Sequence, residues 1–252
     1  MKITASIVIY NENKETLKKV IDSFFSLNFE KELIIIDNSP KDDLKLFCEN
    51  FDNLRYIFTG ENLGFGKGHN LAFETLKEKS DIHMIINPDV YFDSKEISDF
   101  LKWFYEEKDI SLATPKVCFP DGSTQNIARN IPTPIALLKR KLKLNSGELD
   151  IKDNNIYNIP FAHGCFLVFK TEVFEKIQGF DERYFMYMED IDIFIKAKKY
   201  GKTVINTKYK IYHEYRKGSS KNFKLLRWHL NSAIKFFYKY KKINLNDFNK
   251  IN

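Results

Sequence analysis

No apolar run in this chain of 252 residues approaches the ~20 residues needed to span a bilayer, which excludes a membrane-crossing helix. The apolar opening from Ile3 to Tyr10 passes directly into Asn11-Glu12-Asn13-Lys14-Glu15 with no cleavage-like site, so it reads as a strand rather than a leader, and a cytoplasmic protein is expected. Cysteine is scarce. Cys48, Cys118 and Cys165 are odd in number, far apart and set among apolar neighbours, which excludes a disulfide framework or a zinc site and predicts three buried, inert thiols. No internal repeat is present. Acidic residues are nearly missing from the last stretch: residues 216–252 hold ten lysines and arginines against Asp247 alone, a local charge of +9 that leaves −3 on the rest of a chain whose total is +6. Phe223, Trp228, Phe236, Phe237, Tyr238 and Tyr240 interleave with those cations. Two readings of this tail are equally open: a surface for an anionic membrane or nucleic acid, or a final helix with aromatics on the core and lysines in water.

What is present begins with a hydrophobic content of 43% and an aromatic content of 15%, enough to bury one sizeable core. Strand and helix signals alternate along the first half. Ile3 to Tyr10 is extended, Asn13 can cap a helix to about Ser26, and Leu33-Ile34-Ile35-Ile36 has the unbroken apolar character of a parallel strand buried on both faces. Lys41 to Asn50 and Asn70 to Lys79 read as helices, Leu54 to Phe58 and Ile82 to Ile86 as strands. Asp93 with Glu96 caps a helix to Glu107 before a strand at Ser111 to Cys118. The expectation is a doubly wound α/β sheet with a mostly parallel centre. Beyond it come a turn at Pro120-Asp121-Gly122, a proline-broken stretch at 131–134 and a polar segment at 139–158, read as loops beside an acceptor site. Order returns with Phe161 to Phe169, a short helix capped by Thr171, and a helix from Glu189 to Tyr200.

Ligands of open α/β sheets gather at the carboxyl ends of the strands. Tyr10-Asn11, Asp37-Asn38, the loop Thr59 to Asn70 and Asn87-Pro88-Asp89 occupy those places. The loop carries four glycines and Lys67, and either brings backbone close to a phosphate or serves turns; it lacks the GK[ST] ending of a P-loop. Proline at 88 ends a ladder and aims Asp89 at the crevice, although a plain turn with a solvated carboxylate fits as well. The stretch from Phe180 to Asp192 packs five carboxylates among aromatics. Helical spacing puts Glu189, Asp192 and Lys196 on one polar face, Ile191, Phe194 and Ile195 on the buried one, and Asp190 between them.

Taken in order, Val8-Ile9-Tyr10-Asn11, Ile36-Asp37-Asn38-Ser39, Glu61-Asn62-Leu63-Gly64-Phe65-Gly66, Asn87-Pro88-Asp89, Gly179-Phe180-Asp181-Glu182 and Tyr187-Met188-Glu189-Asp190-Ile191-Asp192 resemble family 2 glycosyltransferases, nearest the rhamnosyltransferase-like members that build bacterial surface polysaccharides. The resemblance runs from Ile3 to about Ser220. It implies a GT-A fold, an inverting mechanism and a nucleoside diphosphate sugar, dTDP-rhamnose ahead of UDP-sugars, passed to a saccharide or lipid-linked acceptor. It implies that Asp37 meets the nucleotide base, that Tyr10 and Asn11 line its pocket, and that Asn62, Gly64 and Asn70 close over it. Asn87-Pro88-Asp89 stands where the family has Asp-x-Asp, so Asp89, with His213 as a second ligand, would hold Mg²⁺ or Mn²⁺, with Asn87 in place of the first carboxylate. Asp190 corresponds to the base, Glu189 and Asp192 could reach the acceptor, and Lys217, with Lys221, could assist at the diphosphate. The transferase domain is expected over 1–215, its donor side to about 118 and its acceptor side from 119, with 216–252 as a basic helical tail that attaches peripherally to the inner face of the cytoplasmic membrane. A nucleotidyltransferase and a non-catalytic RNA-binding module are the competing classes, although no nucleic acid partner is expected.

Overall fold

A computed structural model describes residues 1–141, 147–214 and 223–249. The first half alternates as expected: β1 (Lys2–Ile9), α1 (Lys14–Phe25), β2 (Glu30–Asp37), α2 (Lys45–Cys48), β3 (Leu54–Phe58), α3 (Phe65–Glu74), β4 (Ile82–Ile86), β5 (Val90–Tyr91), α4 (Ser94–Glu106) and β6 (Ile110–Cys118). The second half is less regular: β7 (Ala128–Arg129), α5 (Pro134–Lys141), β8 (Ile156–Asn158), β9 (Phe161–Ala162), β10 (Phe166–Lys170), α6 (Thr171–Lys176), α7 (Glu189–Ala197), β11 (Lys202–His213), α8 (Phe223–Lys239) and a closing 3-10 turn, Leu245–Asn249. The main sheet runs β3-β2-β1-β4-β10-β6-β11-β5, with β8 also on β11. Strands β3, β2, β1 and β4 are mutually parallel, as are β6 and β11, while β10 is inserted antiparallel between the two groups.

Side-chain alternation builds the layers. Ile3, Ala5, Ile7 and Ile9 of β1 are fully buried on one face, against Leu17, Val20, Ile21 and Phe24 of α1 in the same core; each of these side chains larger than alanine contributes roughly 1.5–3 kcal/mol. Thr4 and Ser6 on the other face meet two fully buried histidines, Ser6 Oγ lying 2.8 Å from His69 Nδ1 and 3.3 Å from His83 Nε2. Burial drives both imidazoles toward the neutral form, His83 down to about 3. Two of the expected caps are in place, Asn13 Oδ1 accepting from the Glu15 and Thr16 amides and Asp93 Oδ1 from Glu96, whereas Thr171 is the first residue of α6, whose cap position is Lys170 with no side-chain bond. All three cysteines are buried and free.

Three boundaries differ from the sequence expectation. Helix α2 is four residues long rather than the ten of 41–50. Helix α3 begins at Phe65 rather than Asn70, so the glycine-rich stretch is largely its first turns. Gly66 and Gly68 are there for close approach: a Cβ would lie 2.8 Å from the Phe180 Cβ and 2.7 Å from the Val8 Cγ2. The apolar run 161–169 breaks into β9 and β10 at His163-Gly164-Cys165.

Helix α8 lies on the domain. Phe236 is fully buried, the Trp228 ring sits 4.5 Å from Phe185, and Lys235 Nζ donates to the Arg183 carbonyl at 2.7 Å. Its outer face carries Leu226, Leu230, Ile234 and Tyr238 at four-residue spacing, all exposed. No helix of the described residues is long and apolar enough to cross a membrane.

Candidate active site

Strand β4 ends in a turn, Asn87 donating its amide to the Cys165 carbonyl at 2.8 Å and accepting from the Val90 amide. The chain then enters β5, which pairs antiparallel with the end of β11, Val90 opposite His213. That pairing, together with the Glu214 amide donating to the Asp89 carbonyl at 2.9 Å, sets the Asp89 carboxylate beside the His213 ring: Oδ1 to Nε2 is 3.2 Å. Both side chains are largely buried. Gln125 orients the imidazole. Its amide nitrogen donates to the His213 carbonyl at 2.7 Å, which turns its oxygen to His213 Nδ1 at 3.1 Å and places the ring proton there. In its neutral form the ring then offers a lone pair at Nε2 to a carboxylate oxygen, two acceptors face to face. A divalent cation turns that repulsion into ligation, and one hard oxygen with one imidazole nitrogen suits Mg²⁺ or Mn²⁺. Among the described residues no group of three or more His, Cys, Asp and Glu forms a complete cage, so further ligands would have to come from substrate or water.

Asp190 stands on the other side of the same strand end. A Cβ at Gly164 would lie 3.7 Å from the Asp190 Cβ, and burial, the Asp89 charge and the Asp190 charge push the intervening Cys165 thiol up to about 12. The Asp190 Oδ1 accepts from the Ile191 amide at 2.8 Å, which anchors the carboxylate at the amino end of α7. Just before it, Tyr187 and Met188 both take left-handed backbone angles, φ 69° and 68°, a strain of roughly 1–2 kcal/mol each. Contacts hold residues 185–187 in place: Phe65 N donates to the Phe185 carbonyl, Ser232 Oγ to the Met186 carbonyl at 2.8 Å, and the Tyr187 ring lies 4.9 Å from His229.

Glu189 and Asp190 line a cavity of about 300 Å³ together with Arg129, Pro132, Leu137, Phe161, His163, Tyr187 and His229. Burial first, and then the Asp190 charge, push the Glu189 carboxyl up to about 8. Asp192 has a different surrounding from the acceptor contact expected of it: it is fully buried, with Lys239 Nζ at 2.5 Å and Tyr240 Oη at 2.8 Å on its Oδ1. Burial alone would raise the neighbouring Asp181, but Arg183 and Lys239 outweigh it and hold that carboxyl well below the usual range.

The nucleotide side is assembled from four elements. Asp37, at the end of β2, accepts from the Ser39 amide at 2.8 Å and from Tyr56 Oη at 2.6 Å. Ser39 Oγ in turn accepts the Asn11 amide, and Tyr10 is half exposed at the mouth. Asn62 Oδ1 accepts from the Gly64 amide at 3.0 Å. Gly64 has φ 85°, and a Cβ there would meet the Phe185 carbonyl at 2.3 Å, so the loop is clasped to the acidic segment through a position open only to glycine. Asn70 is not in a loop; it sits in α3 and staples it to the same segment, exchanging bonds of 2.9 and 2.8 Å with Phe180. Lys217 and Lys221 lie outside the described residues. Sequence reasoning missed Gln125, Arg129, His163 and His229. Only His163 had a signal, the break in an apolar run. A groove of about 520 Å³ lies at the opposite, amino-terminal edge of the strands, where Lys2 pairs with Glu30 and Arg55 with Glu32.

A mixed α/β sheet of this order, with polar residues at its carboxyl edge and a carboxylate–histidine pair flanking the crevice, is a GT-A fold. The glycosyl transferase family 2 profile matches residues 4–178, and the chain belongs to that family and is a glycosyltransferase. It is 24% identical to the rhamnosyltransferase WbbL of Escherichia coli K12, over 97% of this chain and 96% of that one. It is 27% identical to the hexosyltransferase Agl10 of Haloferax volcanii, over 77% of this chain and 61% of that protein. The same identity holds, over 67% and 61%, with the N-acetylglucosaminyl-diphospho-decaprenol L-rhamnosyltransferase of Mycobacterium tuberculosis. Among solved structures, GalNAc-T7 with UDP, GalNAc and Mn²⁺ superposes with a TM-score of 0.68 at 16% identity, covering 88% of this chain and 44% of that one. The mannosyltransferase PcManGT of Pyrobaculum calidifontis with GDP-Man and Mn²⁺ gives 0.64 at 14%, covering 96% and 64%.

Proposed function

We propose that this glycosyltransferase moves a sugar, rhamnose favoured, from a nucleoside diphosphate donor to a saccharide or lipid-linked saccharide in surface polysaccharide synthesis, with inversion at the anomeric carbon. The observation that carries it is that the Asp89 carboxylate, paired with His213, and the Asp190 carboxylate both act on the Cys165 thiol, while Asp190 also lines a cavity. The three relatives above include two named rhamnosyltransferases, one of them acting on a lipid diphosphate sugar by its name.

Asp190 takes the proton of the acceptor hydroxyl as that oxygen bonds to the anomeric carbon and the bond to the diphosphate oxygen breaks on the opposite face. A divalent cation at Asp89 and His213 would supply positive charge to the departing diphosphate. Tyr10, Asn11 and Asp37 receive the nucleotide, Asp37 presenting its remaining lone pairs to the base. Asn62 and Gly64 fix the loop above it, Asn70 fixes the helix behind, and Asn87 sets the turn that aims Asp89. The exposed apolar row of α8, with Arg227, Lys241 and Lys242 near it, would rest on an anionic membrane surface where a lipid-linked acceptor sits.

The test is a panel of nucleotide sugars scored by nucleoside diphosphate release with Mg²⁺ or Mn²⁺. Release from dTDP-rhamnose or a UDP-sugar is expected. Binding of a guanosine nucleotide alone would overturn the donor, and pyrophosphate as product would make the protein a nucleotidyltransferase.

A further inference from the structure

Glu189 is the one carboxylate of the acidic segment that lines the cavity and still has an unpartnered atom. It is 8% exposed, and its Oε2 is buried without a hydrogen-bonding partner. Backbone hydrogen bonds at Glu189 and Tyr187 compensate part of the carboxyl's lost hydration but burial outweighs them, and the Oε2 atom left over is the one a bound partner would satisfy. The backbone that presents it is strained at Tyr187 and Met188, a cost spent on holding this position rather than a relaxed helix start. The surroundings decide its charge. Asp190 adjoins it on α7, Arg129 reaches the cavity from β7 but is committed to Glu148 at 2.9 Å, and His163 and His229 face it from the β9–β10 turn and from α8. The neighbouring charge that acts on Glu189 is that of Asp190, and it opposes ionisation.

We propose that Glu189 works as a neutral carboxylic acid that donates a hydrogen bond to an oxygen of the acceptor sugar beside the attacking hydroxyl, so that the two adjacent side chains read a vicinal pair of oxygens. The proposal rests on Asp190 being the base. One carboxyl then accepts a proton while its neighbour keeps one, and burial is what separates the two roles. The substrate class follows: an acceptor with an oxygen next to the reacting hydroxyl, and loss of affinity for the corresponding deoxy sugar.

The protonated state predominates at neutral pH and is lost as pH rises through about 8. Infrared difference spectra of the free enzyme should show a protonated carboxyl band that disappears near that pH and is missing in Glu189→Gln; its absence from the wild type overturns the proposal whatever the acceptor. With octyl N-acetylglucosaminide and octyl rhamnoside as acceptor probes, Glu189→Gln, a permanently neutral donor, should stay within about threefold of wild type at pH 7 and lose the alkaline fall in kcat/KM. Glu189→Ala should raise the acceptor KM on the order of 10-fold to 100-fold with donor KM unchanged. Gln as damaging as Ala at pH 7 also overturns it. Asp190→Asn is assayed beside them: full activity there removes the base reading, whereas the infrared band still reports on Glu189 alone.

Discussion

Replacing Lys239 by methionine isolates the bond that holds α8 to the acidic segment. Asp192 is fully buried, and Lys239 Nζ lies 2.5 Å from its Oδ1 and 2.7 Å from Asp181. The substitution keeps most of the side-chain volume and removes the charge. Asp181 retains Arg183 at 2.6 Å, but the hydrogen-bond donors left to Asp192 are tyrosine hydroxyls, at 2.8 Å from Tyr240 and 3.5 Å from Tyr184, with the charges of Lys196 and Arg183 acting on it without a direct bond. Breaking a buried pair from one side costs about 3–5 kcal/mol. Because Lys239 is itself 24% exposed and one hydroxyl bond is strong, the lower end, about 3 kcal/mol, applies. For a chain of this size that corresponds to a fall of roughly 6–12 °C in Tm. The internal control is Lys18→Ala, whose partner Asp22 is also exposed, where less than about 1 kcal/mol is expected. Scanning calorimetry at pH 7 compares the two. Adding Asp192→Asn to Lys239→Met should restore much of the loss, since no unpaired charge is then buried. A Tm for Lys239→Met within about 2 °C of wild type would refute the reasoning that α8 is clamped through Asp192.

Asp190→Asn should cut turnover on the order of 100-fold or more with donor binding kept, whereas Asp89→Ala should weaken both, and only the second should recover with added Mn²⁺ in steady-state assays. His83 titrates far below its ordinary value of 6.5, so the folded state binds fewer protons than the unfolded one and stability should fall as pH drops from 6.5 toward 3, by up to about 1.4 kcal/mol per pH unit. Urea titrations across that range should show a shallower slope for His83→Gln. Ile234→Asp, at a position 70% exposed on the outer face of α8, should leave Tm unchanged and reduce co-sedimentation with anionic vesicles at low salt. Equal co-sedimentation would leave that apolar row without a membrane role.

Local chemistry was enough for much of this protein. Asn13 and Asp93 cap helices because their side chains reach amides two or three residues away, and the unbroken apolar run Leu33–Ile36 of β2 fits a strand buried on both faces of a sheet. The ordered polar residues at the strand ends carried the family and pointed to Asp37, Asp89 and Asp190 before any contact was known. What needed the tertiary structure were relations between residues far apart in the chain. The resemblance put Asp89 and His213 at one metal, but nothing near either announces that the pairing of β5 with β11 is what joins them, and nothing near Gln125 announces the ring it orients. Glu189 and Asp192 are three residues apart on one helix, and helical spacing makes them equivalent. Their difference comes from what packs on them: α8 neutralises Asp192 with Lys239, while a cavity leaves Glu189 beside Asp190. The glycines at 66 and 68 likewise read as a loop that approaches a phosphate or serves turns, because sequence records the missing side chain but not the Val8 and Phe180 atoms that fill its space. Charge state and close approach depend on neighbours that only the folded chain supplies, and those two properties separate the residues that could do chemistry here from those that hold the site in shape.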